Sequence, residues 1–233
     1  MNVAIILSGG SGKRLGEAIP KQYLMVDKKP LLLYCIEPLQ KSRLIDKIQI
    51  VASDEWVDKI KKWLSEYKLD KKLTGFSRPG ENRQLSIYNG LVDLKKQMQP
   101  GDNVFIHDAA RPNLSEDIIE RSIEGMEGYD GVIPVLPMKD TVYFSNDGES
   151  IDSLLDRAKL YAGQAPETFD YEKYLLANEK LVASGEILKI NGSSEPAVMA
   201  NMKMHMIAGD EKNYKITTKG DLNRFIEQIK VRE

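Results

Sequence analysis

Five consecutive apolar residues, Val3-Ala4-Ile5-Ile6-Leu7, run straight into Ser8-Gly9-Gly10-Ser11-Gly12, and this junction limits the fold more than any other feature. An unbroken apolar run of this length reads as a strand buried on both faces, which is the rule in parallel sheets covered by helices on both sides. The glycines that follow read as a loop at the strand's C-terminal end, where backbone N–H groups can approach an anion without interference from Cβ.

The rest of the chain alternates in the same way. Pro30 suits the first turn of a helix carrying Leu31-Leu32-Leu33-Tyr34-Cys35-Ile36. A strand is expected at 47–51, and Asp54 is placed to cap a helix bearing Trp56, Ile60 and Trp63. Residues 83–96 read as a helix, with Leu85, Tyr88, Leu91 and Leu94 three apart on one face. Val104-Phe105-Ile106 is a third buried strand, ending at His107-Asp108. Ser115 caps a helix that turns Ile118, Ile119 and Ile123 inward, and a strand follows at 132–135. Beyond a break in the alternation come a helix at 171–184, a strand near 204–207 and a last helix after Thr218. These elements predict an α/β fold: a Rossmann-like, mostly parallel sheet with helices on both faces, in one domain spanning residues 1–233.

The break is a predicted β-hairpin within an arm at 139–160. Residues 141–145 and 149–155 flank Asn146-Asp147-Gly148, and Asp-Gly supplies the positive φ of a hairpin turn. A lone two-stranded ribbon is marginally stable, so the arm is expected to pack on a second copy of the protein as a homodimerisation arm.

With 33 basic against 35 acidic side chains the net charge is -2, which offers no general attraction to nucleic acid or to an anionic membrane. Cys35 is the only cysteine, so an intrachain disulfide and a cysteine metal site are both excluded, and its apolar neighbours describe an inert buried thiol. The apolar start meets glycines too early for a signal peptide or a membrane span; the cytoplasm is the expected location.

Three segments carry the chemistry. In the first, Lys13, Arg14 and Lys21 set positive charge beside Ser8, Gly9, Gly10, Ser11 and Gly12, as a triphosphate requires. This is not the ATPase phosphate loop, because Leu7 stands where that loop needs glycine and Lys13 is not followed by Ser or Thr. Nor is it the dinucleotide fingerprint, which meets Leu15 at its third glycine. The second segment is His107-Asp108-Ala109-Ala110-Arg111-Pro112. Ligands of open parallel sheets sit beyond the strands' carboxyl ends, so Asp108 and the glycine loop should share one cleft. There Asp108 can hold Mg²⁺ and Arg111 can grip an anion through two hydrogen bonds; the plainer reading has Asp108 capping a turn and Arg111 pairing with it. His107 reads as a packed, hydrogen-bonded residue. In the third segment, Arg78-Pro79-Gly80-Glu81-Asn82-Arg83, Gly80 lets a base lie against backbone, while Arg83 and Ser86 share a face at the start of a helix.

In this order the segments resemble the 2-C-methyl-D-erythritol 4-phosphate cytidylyltransferase family and, equally, its relatives the CTP:ribitol-5-phosphate cytidylyltransferases. Pro20-Lys21-Gln22-Tyr23, His107-Asp108-Ala109-Ala110-Arg111-Pro112, Lys139-Asp140-Thr141 and Tyr214-Lys215-Ile216-Thr217 are the most specific pieces. The resemblance implies that Arg14 and Lys21 stabilise charge at the α-phosphorus of CTP. Ser8 to Lys13, Gly80, Glu81, Arg83 and Ser86 would bind the nucleotide, and Asp108 would be linked to Mg²⁺. Arg111, Thr141, Arg157 and Lys215 would hold a small alcohol phosphate, Thr141 and Arg157 reaching the neighbouring subunit's site across the arm.

The departures from the family pattern gather on the acceptor side. Ala165-Pro166-Glu167 stands for Thr-Pro-Gln, and Ser193-Ser194-Glu195-Pro196 stands for Thr-Asp-Glu/Asp-Ala. Tyr161-Ala162-Gly163-Gln164 and Asp54-Glu55-Trp56 lean toward the alditol-phosphate relatives. The expected reaction is therefore transfer of CMP from CTP to an alditol phosphate such as ribitol 5-phosphate. The alternatives are methylerythritol phosphate or a phosphonate as acceptor, an NDP-sugar-forming relative, and a nucleotide-binding protein without catalysis.

Overall fold

The computed structural model describes residues 1–10, 19–190 and 192–231. Its first elements are β1 (Asn2–Leu7), a 3₁₀ turn at Lys21–Tyr23, the short β2 (Met25–Val26) and β3 (Lys29–Pro30), and α1 (Leu31–Lys41). Then come β4 (Lys47–Val51), α2 (Asp54–Glu66), β5 (Leu73–Ser77), α3 (Arg83–Leu94), β6 (Asn103–Asp108), α4 (Glu116–Glu124) and β7 (Gly131–Pro137). The chain continues with β8 (Val142–Phe144), β9 (Ser153–Leu155), β10 (Tyr161–Gly163), β11 (Glu167–Asp170), α5 (Tyr171–Ser184), α6 (Glu195–Met199), β12 (Met204–Ala208) and α7 (Lys219–Lys230).

The main sheet has the order β10-β7-β11-β6-β1-β4-β5, with β12 beside β7. β1 lies in its middle, parallel to β4 and to β6, with Leu7 level with both Val51 and Asp108. That register brings the ends of three strands to one rim, the rim on which the glycine loop opens. β11 runs antiparallel to β6 and β7, and β10 antiparallel to β7; β12 is parallel to β7.

Alternation along β1 divides the core. Ala4 and Ile6 face a cluster built with α1, α2 and α4 through Leu32, Ile60, Trp63 and Ile118. Val3 and Ile5 face α3 and α5 through Ile87, Leu91 and Tyr174, with Phe169 of β11 in the same cluster. A smaller cluster of Val26, Leu31, Ile216, Phe225 and Ile229 fastens α7 over the start of α1. Covered on both faces, β1 has to be the continuous apolar run its sequence shows.

Four expectations need correction. Ser53, not Asp54, is the N-cap of α2; Asp54 is the first helical residue and pairs with Arg78 at 2.8 Å. Strand β5 went unread because Thr74 and Gly75 break its apolar run. The helix read over 83–96 ends at Leu94. The hairpin strands are only three residues each, and the connection is a wide loop rather than a tight turn. Gly148 has the expected positive φ of 76°, but Asp147 organises the loop by accepting the Glu149 and Ser150 N–H groups and the Ser145 hydroxyl. Ser115 caps α4 as expected, its hydroxyl accepting the Ile118 N–H.

Candidate functional site

A cavity of about 510 Å³ opens at the rim where β1, β4 and β6 end. Leu7 and Val51 form its floor; Gly9, Gly10, Lys21 and Gln22 form one wall. The opposite wall is Gly80, Glu81, Asn82, Arg83 and Ser86, and Asp108, Ala110 and Lys215 close the end.

Close packing excludes a side chain at two points of this lining, once between the two walls and once within the second. A Cβ on Gly9 would lie 2.5 Å from Pro79 Cβ, and one on Gly80 would lie 2.3 Å from Leu85 Cβ and 2.8 Å from its carbonyl carbon. Next to Gly80, Asn82 caps α3 by accepting the Leu85 N–H at 2.8 Å. Ser86 Oγ accepts the Gly80 N–H at 3.0 Å and donates to the Asn82 carbonyl at 2.9 Å. The turn from 80 to 86 is thus fixed before any ligand arrives.

Asp108 is the electrostatic centre. Its Oδ1 accepts from Arg83 Nη2 at 3.1 Å; its Oδ2 lies 3.0 Å from Lys215 Nζ and 3.6 Å from Arg111 Nε. Burial alone would push this carboxyl upward, but Arg83, Lys215 and Arg111 outweigh it and hold the group well below the usual carboxylate range. The plainer reading of this segment is therefore part of the truth: Arg111 N–H closes a turn on the Asp108 carbonyl at 2.9 Å, and its side chain faces the Asp108 carboxylate. His107 is buried, donates from Nε2 to the Arg111 carbonyl at 3.0 Å, and is pushed down by burial to about 4, so it is neutral at pH 7.

Behind this cluster lies a buried carboxylate whose setting could not be read from the sequence. Burial raises Glu167 to about 7, against the pull of Arg83. The Ser193 hydroxyl donates to its Oε2. The two segments that depart from the family pattern thus meet in space. The same knot continues through Tyr174, whose hydroxyl donates to the Ser193 carbonyl at 2.6 Å, and through Gln84, which donates to Tyr174 Oη and to Asn178 Oδ1.

The structure gathers Gly9, Gly10, Lys21, Gly80, Glu81, Arg83, Ser86, Asp108 and Lys215 around one cavity, with Ser8 buried beneath the glycines. Lys21 Nζ donates to the Ile216 carbonyl at 2.6 Å. Arg111 stands behind Asp108, held by the Asn213 carbonyl at 2.7 Å. Thr141 and Arg157 are not brought to the cavity within one chain: both are exposed in the arm segment, and Arg157 donates to the Lys139 carbonyl at 2.7 Å. Ser11, Gly12, Lys13 and Arg14 lie outside the described residues. Sequence reasoning gave no role to Gln22, Tyr23 or Asn82; for Asn82 the available signal was an N-cap residue just before a helix.

Among the described residues no group of three or more His, Cys, Asp or Glu side chains is placed to hold a metal ion. None of their helices is long and apolar enough to cross a membrane.

Residues 2–229 match the family model of IspD, 2-C-methyl-D-erythritol 4-phosphate cytidylyltransferase. The enzyme of that name from Thermosipho melanesiensis is 33% identical over 222 residues, covering 95% of each chain. The ribitol-5-phosphate cytidylyltransferase of Streptococcus agalactiae is 30% identical over 226 residues, covering 97% of this chain and 94% of the relative. Among solved structures, the 4-diphosphocytidyl-2C-methyl-D-erythritol synthase of Anaerococcus prevotii superposes with a TM-score of 0.82 at 27% identity, covering 98% of each chain. The Francisella tularensis 2-C-methyl-D-erythritol 4-phosphate cytidylyltransferase gives 0.81 at 26% identity, covering 97% of this chain and 99% of the other.

Proposed function

The chain belongs to the IspD family and is a cytidylyltransferase, and from that premise we propose that it transfers CMP from CTP to an alditol phosphate such as ribitol 5-phosphate. The observation that carries the reaction is the single cavity in which a glycine wall, a helix-start wall and the Arg83–Asp108–Lys215 cluster converge. The alditol preference is supported by Tyr161-Ala162-Gly163-Gln164, by Asp54-Glu55-Trp56 and by the Streptococcus relative. Methylerythritol phosphate is the second reading, favoured by the Thermosipho relative and by the family model.

In this reading the triphosphate lies along Ser8 to Lys13, and the base sits against Gly80 with Glu81, Arg83 and Ser86 around it. An oxygen of the acceptor's phosphate attacks the α-phosphorus in line. A bond forms from that oxygen to phosphorus, the bond to the bridging oxygen breaks, and pyrophosphate leaves with the electron pair. A phosphate monoester has its second pKa near 6, so the nucleophile is already anionic and no general base is required. Catalysis is then positioning and electrostatics. Arg14, Lys21 and the loop amides stabilise charge at the α-phosphorus; Arg111 and Lys215 align the acceptor.

Magnesium fits as an ion brought in on the nucleotide. Mg²⁺ is commonly bound by one or two carboxylates plus substrate phosphates rather than by an all-protein cage, and Asp108, which lines the cavity and is ionised throughout the neutral range, would hold it. When bound it neutralises charge on phosphate oxygens. A homodimer is supported by the exposed apolar side chains of the arm, Tyr143, Phe144, Ile151 and Leu154, and would bring Thr141 and Arg157 to a neighbour's acceptor site. The near-neutral charge is consistent with a cytoplasmic enzyme that has no nucleic-acid or membrane partner.

The test is pyrophosphate release from CTP and Mg²⁺ against ribitol 5-phosphate, glycerol 3-phosphate, methylerythritol 4-phosphate and 2-aminoethylphosphonate. Ribitol 5-phosphate should give the highest kcat/KM. A higher value for methylerythritol phosphate would move the enzyme to the second reading.

A further inference from the structure

We propose that Gln22 and Tyr23 are positioning residues that hold the start of the glycine loop, Ser8 to Gly10, in its phosphate-binding shape. Glutamine is mostly a surface residue, yet Gln22 is 4% exposed, and a buried carboxamide requires hydrogen-bond partners. Its single Nε2 meets two carbonyls of the same loop, Ser8 O at 2.6 Å and Gly10 O at 2.8 Å. Tyr23 acts on the same segment from one residue further on. Its hydroxyl donates to Ser8 O at 2.9 Å and accepts from Ser8 Oγ at 3.0 Å.

The peptide geometry turns these contacts into a directional constraint. In a trans peptide the carbonyl and the following N–H point in opposite directions. With the Ser8 carbonyl taken by Gln22 and Tyr23, the Gly9 N–H is aimed away from them. Gly9 and Gly10 line the cavity in which an anion can be received, and among the described residues a Cβ on Gly10 would meet nothing within 4 Å.

The arrangement also registers the loop with Lys21. Lys21, Gln22 and Tyr23 form one 3₁₀ turn, closed by Tyr23 N–H to Pro20 O at 2.9 Å and Leu24 N–H to Lys21 O at 3.1 Å. At three residues per turn their side chains leave in three directions. Lys21 reaches the cavity, while its two neighbours fix the loop it works beside. The Tyr23 ring is itself stacked on Trp56 with centroids 4.2 Å apart, so its hydroxyl is held on target by packing.

The inference rests on the reading of the glycine loop as the triphosphate cradle, and the test separates the two. CTP and cytidine, which lacks every phosphate, are titrated calorimetrically into the full chain and into Gln22→Ala and Tyr23→Phe. Gln22→Ala should weaken CTP about 10- to 30-fold, as the loss of two buried hydrogen bonds implies, and leave cytidine within about twofold. Tyr23→Phe, which keeps the ring stack, should weaken CTP about 3- to 5-fold with cytidine again unchanged. CTP affinity that survives in the variants, or equal weakening of CTP and cytidine, overturns the positioning role. Should Gln22→Ala fail to fold, Tyr23→Phe decides by the same ratio. A wild-type protein that binds CTP no better than cytidine would instead remove the cradle reading itself.

Discussion

Replacing Asp108 by asparagine keeps the shape of the side chain and removes its charge from between three cations. Arg83 and Lys215 stand 3.1 and 3.0 Å from its oxygens and Arg111 stands 3.6 Å away. Breaking a buried ion pair from one side costs about 3–5 kcal/mol, because the remaining charge is left uncompensated. Here Arg83 and Lys215 keep 30% and 36% of their side-chain surface in water, so screening brings the figure down to about 2–3 kcal/mol. For a chain of this size that is a fall in Tm of roughly 4–12 °C, measured by calorimetry at pH 7. The pH dependence adds a second check. The folded carboxyl lies well below its ordinary value, so its contribution is complete above the unfolded pKa of about 3.9 and is lost as pH falls toward the folded value. The gap between wild type and Asp108→Asn should therefore narrow below about pH 4. A Tm within about 2 °C of wild type at pH 7, or a gap that widens in acid, would show that Asp108 does not compensate the three cations.

Three further outcomes are expected. Lys21→Ala should lower turnover roughly 100- to 1,000-fold in a pyrophosphate-release assay, the usual loss for one preorganised donor; a near-wild-type rate removes Lys21 from catalysis. Gly80→Ala forces its new Cβ against Leu85 backbone at 2.8 Å, and an overpacking cost of about 1–3 kcal/mol should appear as CTP binding weakened by roughly tenfold or more, read by titration. Glu167 is raised by burial to about 7 from 4.5, so the folded chain holds a proton that the unfolded chain has released. Stability should then decline as pH rises from about 4.5 to 7, and Glu167→Gln should flatten that decline in urea midpoints taken at pH 5 and pH 8; equal slopes would contradict the assignment.

What the sequence revealed follows from which physical signals are local. The helix at Tyr171–Ser184 and the strand at Asn2–Leu7 carry long, unbroken patterns, and both were read nearly to the residue. The cavity's rim was legible because glycines, cations and Asp108 fall at strand ends, and strand ends share an edge in a parallel sheet. Strands β10 and β11 were not legible. They are three and four residues long, flank Ala165-Pro166, and gain their partners only from β6 and β7, far away in sequence. The same limit hid the side chains behind the site. Nothing in the sequence around Glu167 says that its carboxylate lies buried against Ser193, and nothing beside Gln22 says that its amide reaches two carbonyls of the loop before it. Those contacts are properties of the assembled fold.

In the proposed reaction one cleft joins a cytidylyl group to an alcohol phosphate. ³¹P NMR of the protein with CTP, Mg²⁺ and ribitol 5-phosphate measures that bond directly. Two mutually coupled diphosphate resonances of a CDP-alditol should grow in step with pyrophosphate. CMP and pyrophosphate without a diphosphate product, or CTP left intact with every acceptor of the panel, would contradict it.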